Sequence, residues 1–164
     1  MSARTQLDTF IDKYSPEVAA VAREALAKMQ DRLPGTVELV YDNYNALAIG
    51  FGPSERASEA IFSIALYPRW VSLFFLRGAG LRDPHGILKG SGKVVRHIVL
   101  KDASTLDEPA VRELMTQALD RAELRPDPQQ PGRMIIKSIS PNQRPRVGRA
   151  SRLAQGRPRP RSAR

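Results

Sequence analysis

The spacing of apolar residues changes twice along the chain, and this order restricts the folds open to it. Residues 5–33 repeat apolar side chains at helical intervals, residues 37–101 repeat them at the two-residue interval of strands, and residues 108–122 return to helical spacing. A Rossmann-type fold alternates strands and helices, whereas this chain groups them. The pattern predicts an α+β fold with N-terminal helices, an antiparallel sheet of about five strands, a C-terminal helix and then a disordered basic tail.

Capping signals locate the helices. The first is predicted over residues 5–14. The second starts at Pro16 after Ser15, because serine is a strong N-cap and proline at the first helical position loses no needed hydrogen bond. The third starts near Glu108, with Asp107 as its expected cap. The five predicted strands cover residues 37–42, 47–51, 60–67, 70–76 and 94–101.

Charge is distributed very unevenly. Residues 132–164 contain ten of the 26 Lys and Arg residues and no Asp or Glu, so residues 1–131 hold 16 basic and 17 acidic residues. The net charge of +9 therefore belongs to a C-terminal appendage. We predict a domain at 1–131 and a largely disordered Arg/Pro-rich tail at 132–164, because that composition buries too little apolar surface to offset the entropy of ordering. Within the tail, residues 132–140 are the part able to dock as a strand.

Whole classes of chemistry are excluded by composition. The chain has no Cys, which removes disulfides, Cys-ligated zinc, iron–sulfur clusters and thiol nucleophiles. The first residues contain no apolar run that would make a signal peptide, and no segment is apolar enough for a membrane span. These observations predict a soluble, cytoplasmic protein.

A glycine-rich segment before the last predicted strand is a candidate anion site. Glycines let neighbouring backbone N–H groups converge on an anion, and two lysines add charge. The segment is not a Walker A loop, because Val94 stands where that motif needs Ser or Thr. A solvated connection between strands is the competing interpretation. The candidate residues are Lys89, Gly90, Ser91, Gly92 and Lys93.

No metal or catalytic site is predicted, and we expect no cofactor. The two histidines, His85 and His97, lack further ligands at readable spacing. Asp8 and Asp12 are helical neighbours, but basic residues are interspersed along the same helices, which indicates an ordinary solvated face. There is no Gly-x-Ser-x-Gly elbow, so enzymatic activity is not indicated.

Aromatic residues lie on or beside the predicted strands. Their spacing favours packing in the core, and a base-stacking surface or ligand pocket is the alternative. These residues are Tyr41, Tyr44, Tyr67, Trp70, Phe74 and Phe75.

The tail combines arginine with proline. Arginine binds phosphate through two hydrogen bonds, and proline keeps a chain extended. A polycation of this kind can follow RNA or DNA without reading its sequence, or can act only to keep the protein soluble. The candidate nucleic-acid-binding residues are Arg144, Arg146, Arg149, Arg152, Arg157, Arg159, Arg161 and Arg164.

Several segments together resemble the YdhG-like family of uncharacterised domains. They are Leu73-Phe74-Phe75-Leu76, Leu88-Lys89-Gly90-Ser91-Gly92-Lys93, and Arg96-His97-Ile98 with Asp102. The resemblance covers residues 5–122, implies the α+β fold and supplies no catalytic residues. One branch of that family is linked to iron delivery by analogy with frataxin-like proteins. The arginine tail departs from the short forms of the domain.

These observations favour a non-catalytic domain whose tail binds nucleic acid electrostatically and with low specificity. The alternatives are a small-ligand or iron-handling domain with a merely solubilising tail, and a protein-interaction module. The oligomeric state is left open by the sequence.

Overall fold

The computed structural model describes residues 1–147 and contains three α-helices on one face of a sheet. Within this part of the chain no helix is both long and apolar enough to cross a bilayer. The Ser15 hydroxyl accepts a hydrogen bond from the Val18 backbone N–H at 3.3 Å, which confirms the predicted cap of the second helix. The helices are α1 (Ala3–Ile11), α2 (Pro16–Arg32) and α3 (Pro109–Arg121).

Asp107 does not cap α3, contrary to the expectation from sequence. Glu108 is the residue before the helix, and it makes no side-chain capping bond. The Asp107 carboxylate instead accepts a hydrogen bond from Lys28 Nζ at 2.8 Å and pairs with the Arg32 guanidinium. This carboxylate therefore ties α2 to the segment that leads into α3.

Six strands form a single sheet in the order β5-β4-β3-β2-β1-β6. The first five pair antiparallel with their neighbours, while β6 pairs parallel with β1. The α+β class is confirmed, but the sheet is mixed rather than wholly antiparallel, because α3 carries the chain back across the sheet as a crossover. The strands are β1 (Val37–Asp42), β2 (Leu47–Gly52), β3 (Phe62–Leu66), β4 (Val71–Phe75), β5 (Arg96–Leu100) and β6 (Arg133–Ile139).

Strand β6 lies inside the region that charge alone assigns to the tail. Met134 and Ile136 pack against the core, so the short apolar run at residues 134–136 docks this strand on the domain. Gly35 makes room for the chain that leads there: it has φ +80°, and a Cβ at this position would lie 1.8 Å from the Asp127 carbonyl oxygen. The folded part consequently extends past residue 131.

The two faces of the sheet differ. On the inner face, alternate strand side chains join the helices in one core; examples are Val40, Ile49, Ile64, Leu73 and Ile98. Within residues 1–147 the opposite, outer face carries no α-helix. Its β1–β2 end is partly covered by residues 53–61, since Ala60 lies against Gly50 and Gly52.

Candidate nucleic-acid interface

Aromatic rings lie on the outer face at the β3–β4 hairpin and on β4 and β5. Tyr67 and Trp70 flank the β3–β4 hairpin and stack on each other, with ring centroids 4.9 Å apart and planes inclined by 22°. Phe74 lies further along β4, and its ring centroid is 5.2 Å from that of His97 on β5. We call these four side chains the stacking face.

This arrangement corrects the expectation that the strand aromatics fill the core. Phe75 is buried in the core, but Trp70 is 44% exposed and Tyr44 49% exposed. The reason is the alternation of strand side chains: Val71, Leu73 and Phe75 take the inner positions of β4. Trp70 and Phe74 must then point outward.

Small residues form a low floor between the aromatic rings. On β2 and β3 the outward positions are glycine, alanine or serine, so no bulky side chain stands between β1 and β4. Tyr41 borders this floor. Burial raises the pKa of Tyr41, and its hydroxyl has no hydrogen-bond partner in residues 1–147. The floor residues are Ala48, Gly50, Ser63, Ala65 and Ser72.

The outer face has no negative charge on its strands. None of the outward positions of the six strands is Asp or Glu. The only two carboxylates in the strands, Glu38 and Asp42, are buried on the inner face beside Val40. The strands themselves therefore place no carboxylate against a partner on the outer face; Glu55 and Glu59 lie in the loop that covers its β1–β2 end.

The predicted anion loop borders this face. Lys89 and His97 exchange two backbone hydrogen bonds, of 2.8 and 2.9 Å, in an antiparallel bridge. Residues opposed in this way project to the same side, so Lys89 shares the outer face with His97. The Arg96 guanidinium donates to the carbonyl oxygens of Gly92 and Val95, at 2.5 and 2.8 Å, and holds the loop against the edge of the sheet. All five loop residues, Lys89–Lys93, are exposed.

At the other side of the sheet, a buried ion pair anchors the C-terminal segment. The Arg146 guanidinium donates to the Asp42 carboxylate at 2.9 Å and to the Asn43 carbonyl oxygen at 2.5 Å. The Asp42 and Arg146 side chains are 0% and 3% exposed. Lys13 contacts the second oxygen of Asp42 at 2.6 Å. We call Lys13, Asp42 and Arg146 the anchor.

Charge–charge contacts keep Asp42 ionised. Burial opposes ionisation of its carboxyl, but hydrogen bonds from Lys13, Gln143 and Arg146, together with the charge of Lys13, outweigh burial and lower the pKa of Asp42. The Arg146 guanidinium also lies 5.6 Å from the ring centroid of Tyr14. The Tyr14 hydroxyl donates to the Leu66 carbonyl oxygen at 3.0 Å, and burial raises the pKa of Tyr14 to about 12. The anchor is thereby connected to β3 immediately before the Tyr67–Trp70 pair.

Sequence reasoning missed the anchor, and it included Arg146 among the phosphate-binding arginines. The correction follows from burial: a guanidinium enclosed with a carboxylate is not available to an external phosphate. No local signal separates Arg146 from the neighbouring Arg-Pro residues. Arg144 remains exposed, 5.5 Å from the Tyr44 ring centroid. The other candidates, Arg149, Arg152, Arg157, Arg159, Arg161 and Arg164, lie outside the described residues.

Other predicted positions do not assemble into a site. His85 is exposed in a turn, and within residues 1–147 no three His, Asp or Glu side chains are grouped to hold a metal ion. Asp12 is paired with Arg23 at 2.6 Å.

A cavity of about 240 Å³ lies at the end of α3, against Ile61, Phe75 and Leu81. It is smaller than the roughly 300–1,000 Å³ of most ligand pockets.

Comparisons of the chain with family models, curated proteins and solved structures found no match. The resemblance to the YdhG-like family therefore stays a prediction.

Proposed function

We propose that the protein binds nucleic acid with low sequence specificity through its arginine-rich C-terminus. The observation that carries this proposal is the charge of residues 132–164, which hold ten Lys and Arg residues and no acidic residue. Six of these cations follow Val147, and the chain reaches them directly after the anchor. Neutralising phosphates with Lys and Arg releases counterions, which supplies sequence-independent affinity.

The surroundings of the anchor support the same partner. Arg144 lies exposed on Tyr44, and the adjoining outer face has no acidic strand residue. The segment carrying the remaining arginines thus follows residues that lie at an end of the sheet whose strands have no outward carboxylate. The sequence of this segment contains no recognisable base-reading motif, so phosphate contact is expected in place of sequence readout.

The test is a salt titration of two proteins on a labelled duplex DNA and a labelled single-stranded RNA. One protein is the full chain and the other ends after Val147, which removes six arginines and leaves 20 basic against 17 acidic residues. We expect the shorter protein to bind far more weakly. Its log–log salt slope on duplex should be lower in magnitude by at most about five, since each neutralised phosphate contributes about 0.9.

A matched control carries residues 148–164 in scrambled order. It should bind like the native chain, because it keeps the net charge to which the proposal attributes the affinity. Equal affinity of the full and shortened proteins would contradict the proposal. Binding by neither protein would favour the alternative of a ligand-handling domain with a solubilising tail.

A further inference from the structure

The stacking face lies between two basic borders. Lys89 stands beyond β5 on the same side as His97. Toward the other side of the sheet, the exposed Arg144 lies over the ring of Tyr44 in the turn that joins β1 to β2, and β6 lies further out. The separation of β5 from β1 is four inter-strand steps, or about 19 Å.

We infer that the stacking face binds the bases of a single-stranded nucleic acid whose backbone crosses the sheet between these borders. This inference rests on the proposed function and adds to it a preference for single strands over duplex. The contact is ring on ring and does not require a particular base.

The spacing of the rings suits separate bases. Trp70 directly precedes β4 and Phe74 lies four residues later on that strand, which corresponds to about 13 Å of extended chain. Ser72 is the only outward residue between them, and Ala65 lies opposite it on β3. Because Tyr67 covers one side of the Trp70 ring, the exposed remainder of that ring is the surface on which a base can stack.

Charge favours a polyanion over a second copy of this chain. The strands present no carboxylate on this face, while Lys89 and Arg69 are exposed at its margins. A second copy of this chain would bring the same basic borders against each other, which is unfavourable. Duplex DNA keeps its bases stacked and paired internally, so it offers phosphates to the arginines and no free base to the rings.

Trp70 is the only tryptophan in the chain and reports stacking directly. The full protein is titrated with single-stranded DNA, single-stranded RNA, duplex DNA and inorganic polyphosphate at low salt. We expect both single strands to quench Trp70 fluorescence at saturation. Duplex DNA and polyphosphate should bind through the arginines and leave the emission nearly unchanged.

Variants separate stacking from charge. Trp70→Ala combined with Phe74→Ala should weaken single-strand binding roughly tenfold or more, since each stacked base contributes measurably to affinity. Duplex affinity should not change. Trp70→Phe combined with Phe74→Tyr keeps both rings and should retain most single-strand affinity even if the alanine variant is less stable. Leu124→Ala, an exposed apolar change at the end of α3, is the control and should bind normally.

The outcomes distinguish the two proposals. Single-strand binding without quenching, and unchanged in the alanine variant, would overturn the stacking inference while leaving attachment through arginine intact. Equal quenching by duplex, polyphosphate and single strands would also overturn it, because a conformational effect of charge would then explain the signal. No binding of any nucleic acid by the full chain would overturn both. Concentration-dependent dimerisation lost in the alanine variant, without nucleic-acid binding, would assign the face to a second copy.

Discussion

Glu38 and Asp42 lie four residues apart on the inner face of β1, and their pKa values move in opposite directions. Both side chains are buried. Asp42 contacts two cationic groups, which lower its pKa despite burial. Burial raises the pKa of Glu38, and the hydrogen bond from Gln30 and the charge of Arg4 offset this only in part. Ionisation of Asp42 therefore stabilises the fold, whereas ionisation of Glu38 costs stability.

We expect Glu38→Gln to raise the melting temperature at pH 7. A raised carboxyl pKa means that the folded state holds the proton more tightly than the unfolded state, so stability falls as pH rises above the ordinary value of 4.5. The amide removes this charge and can still bond to Gln30. Thermal unfolding from pH 3 to 8 should show that the melting temperature of Glu38→Gln exceeds the native value at pH 7 and that this difference disappears near pH 3. Glu24→Gln, on the exposed side of α2, is the control; a loss of stability at pH 7 in Glu38→Gln would contradict the assignment.

Arg146→Ala should lower the free energy of unfolding by about 1.5–3 kcal/mol, the range for a hydrogen bond to a charged group. Lys13 continues to compensate Asp42, so the cost stays below that of an isolated buried charge. Chemical denaturation measures the change, and amide exchange at Arg144, whose N–H donates to the Tyr44 carbonyl oxygen at 2.9 Å, should accelerate. Arg144→Ala is the exposed control, expected within about 0.5 kcal/mol of the native value.

The anchor also makes the free energy of unfolding depend on pH in acid solution. Because the pKa of Asp42 is lowered, its contribution is fully present above the unfolded value of 3.8 and is lost as pH falls through the folded value. In Arg146→Ala the loss on acidification below pH 4 should be smaller than in the native chain. An identical acid transition in both proteins would show that Arg146 does not hold Asp42 ionised.

At the scale of elements, strand β6 joins the C-terminal region to the folded domain. It pairs with β1 along its length, with a register shift between Val40 and Tyr41. Arg133 on β6 pairs with Glu55 at 2.5 Å, so the strand also holds the loop that partly covers the outer face. A basic composition therefore does not mark the end of the fold.

Two truncations test this role. A protein ending after Val147 should melt at the native temperature, because all six strands and the anchor remain. A protein ending after Pro131 should melt much lower or fail to fold, since it exposes the edge of β1 and the core contacts of Met134 and Ile136. Circular dichroism melts of both proteins make the comparison. Equal melting temperatures would mean that β6 contributes little to stability.

At the scale of the whole molecule, charge and apolar surface are separated. The strands' carboxylates face inward, the rings of Phe74 and His97 face outward, and the excess of cations is C-terminal. Under the two proposals, the arginines contact phosphates and the stacking face contacts bases. The two contributions should respond differently to salt, because stacking is not an ionic interaction.

Changing the six arginines after Val147 to lysine should weaken nucleic-acid binding only in part. Lysine keeps the charge that releases counterions but loses the planar fork that binds phosphate through two hydrogen bonds. Changing the same six residues to glutamine should remove most of the affinity. The measurement is the affinity of the native, lysine and glutamine proteins for one duplex at fixed salt. A lysine variant that binds as weakly as the glutamine variant would contradict the role given to charge.

The sequence by itself determined the helix–strand–helix order, five of the six strands and the cap at Ser15, because these depend on local periodicity and on backbone groups a few residues apart. It also indicated residues 132–140 as the part of the tail able to dock as a strand, and β6 lies within them. Only the tertiary structure decided that β6 pairs parallel with β1 and which strand face is buried, because both depend on where the helices lie. For the same reason the exposure of Trp70 and the burial of Arg146 against Asp42, 104 residues away along the chain, could not be read from spacing.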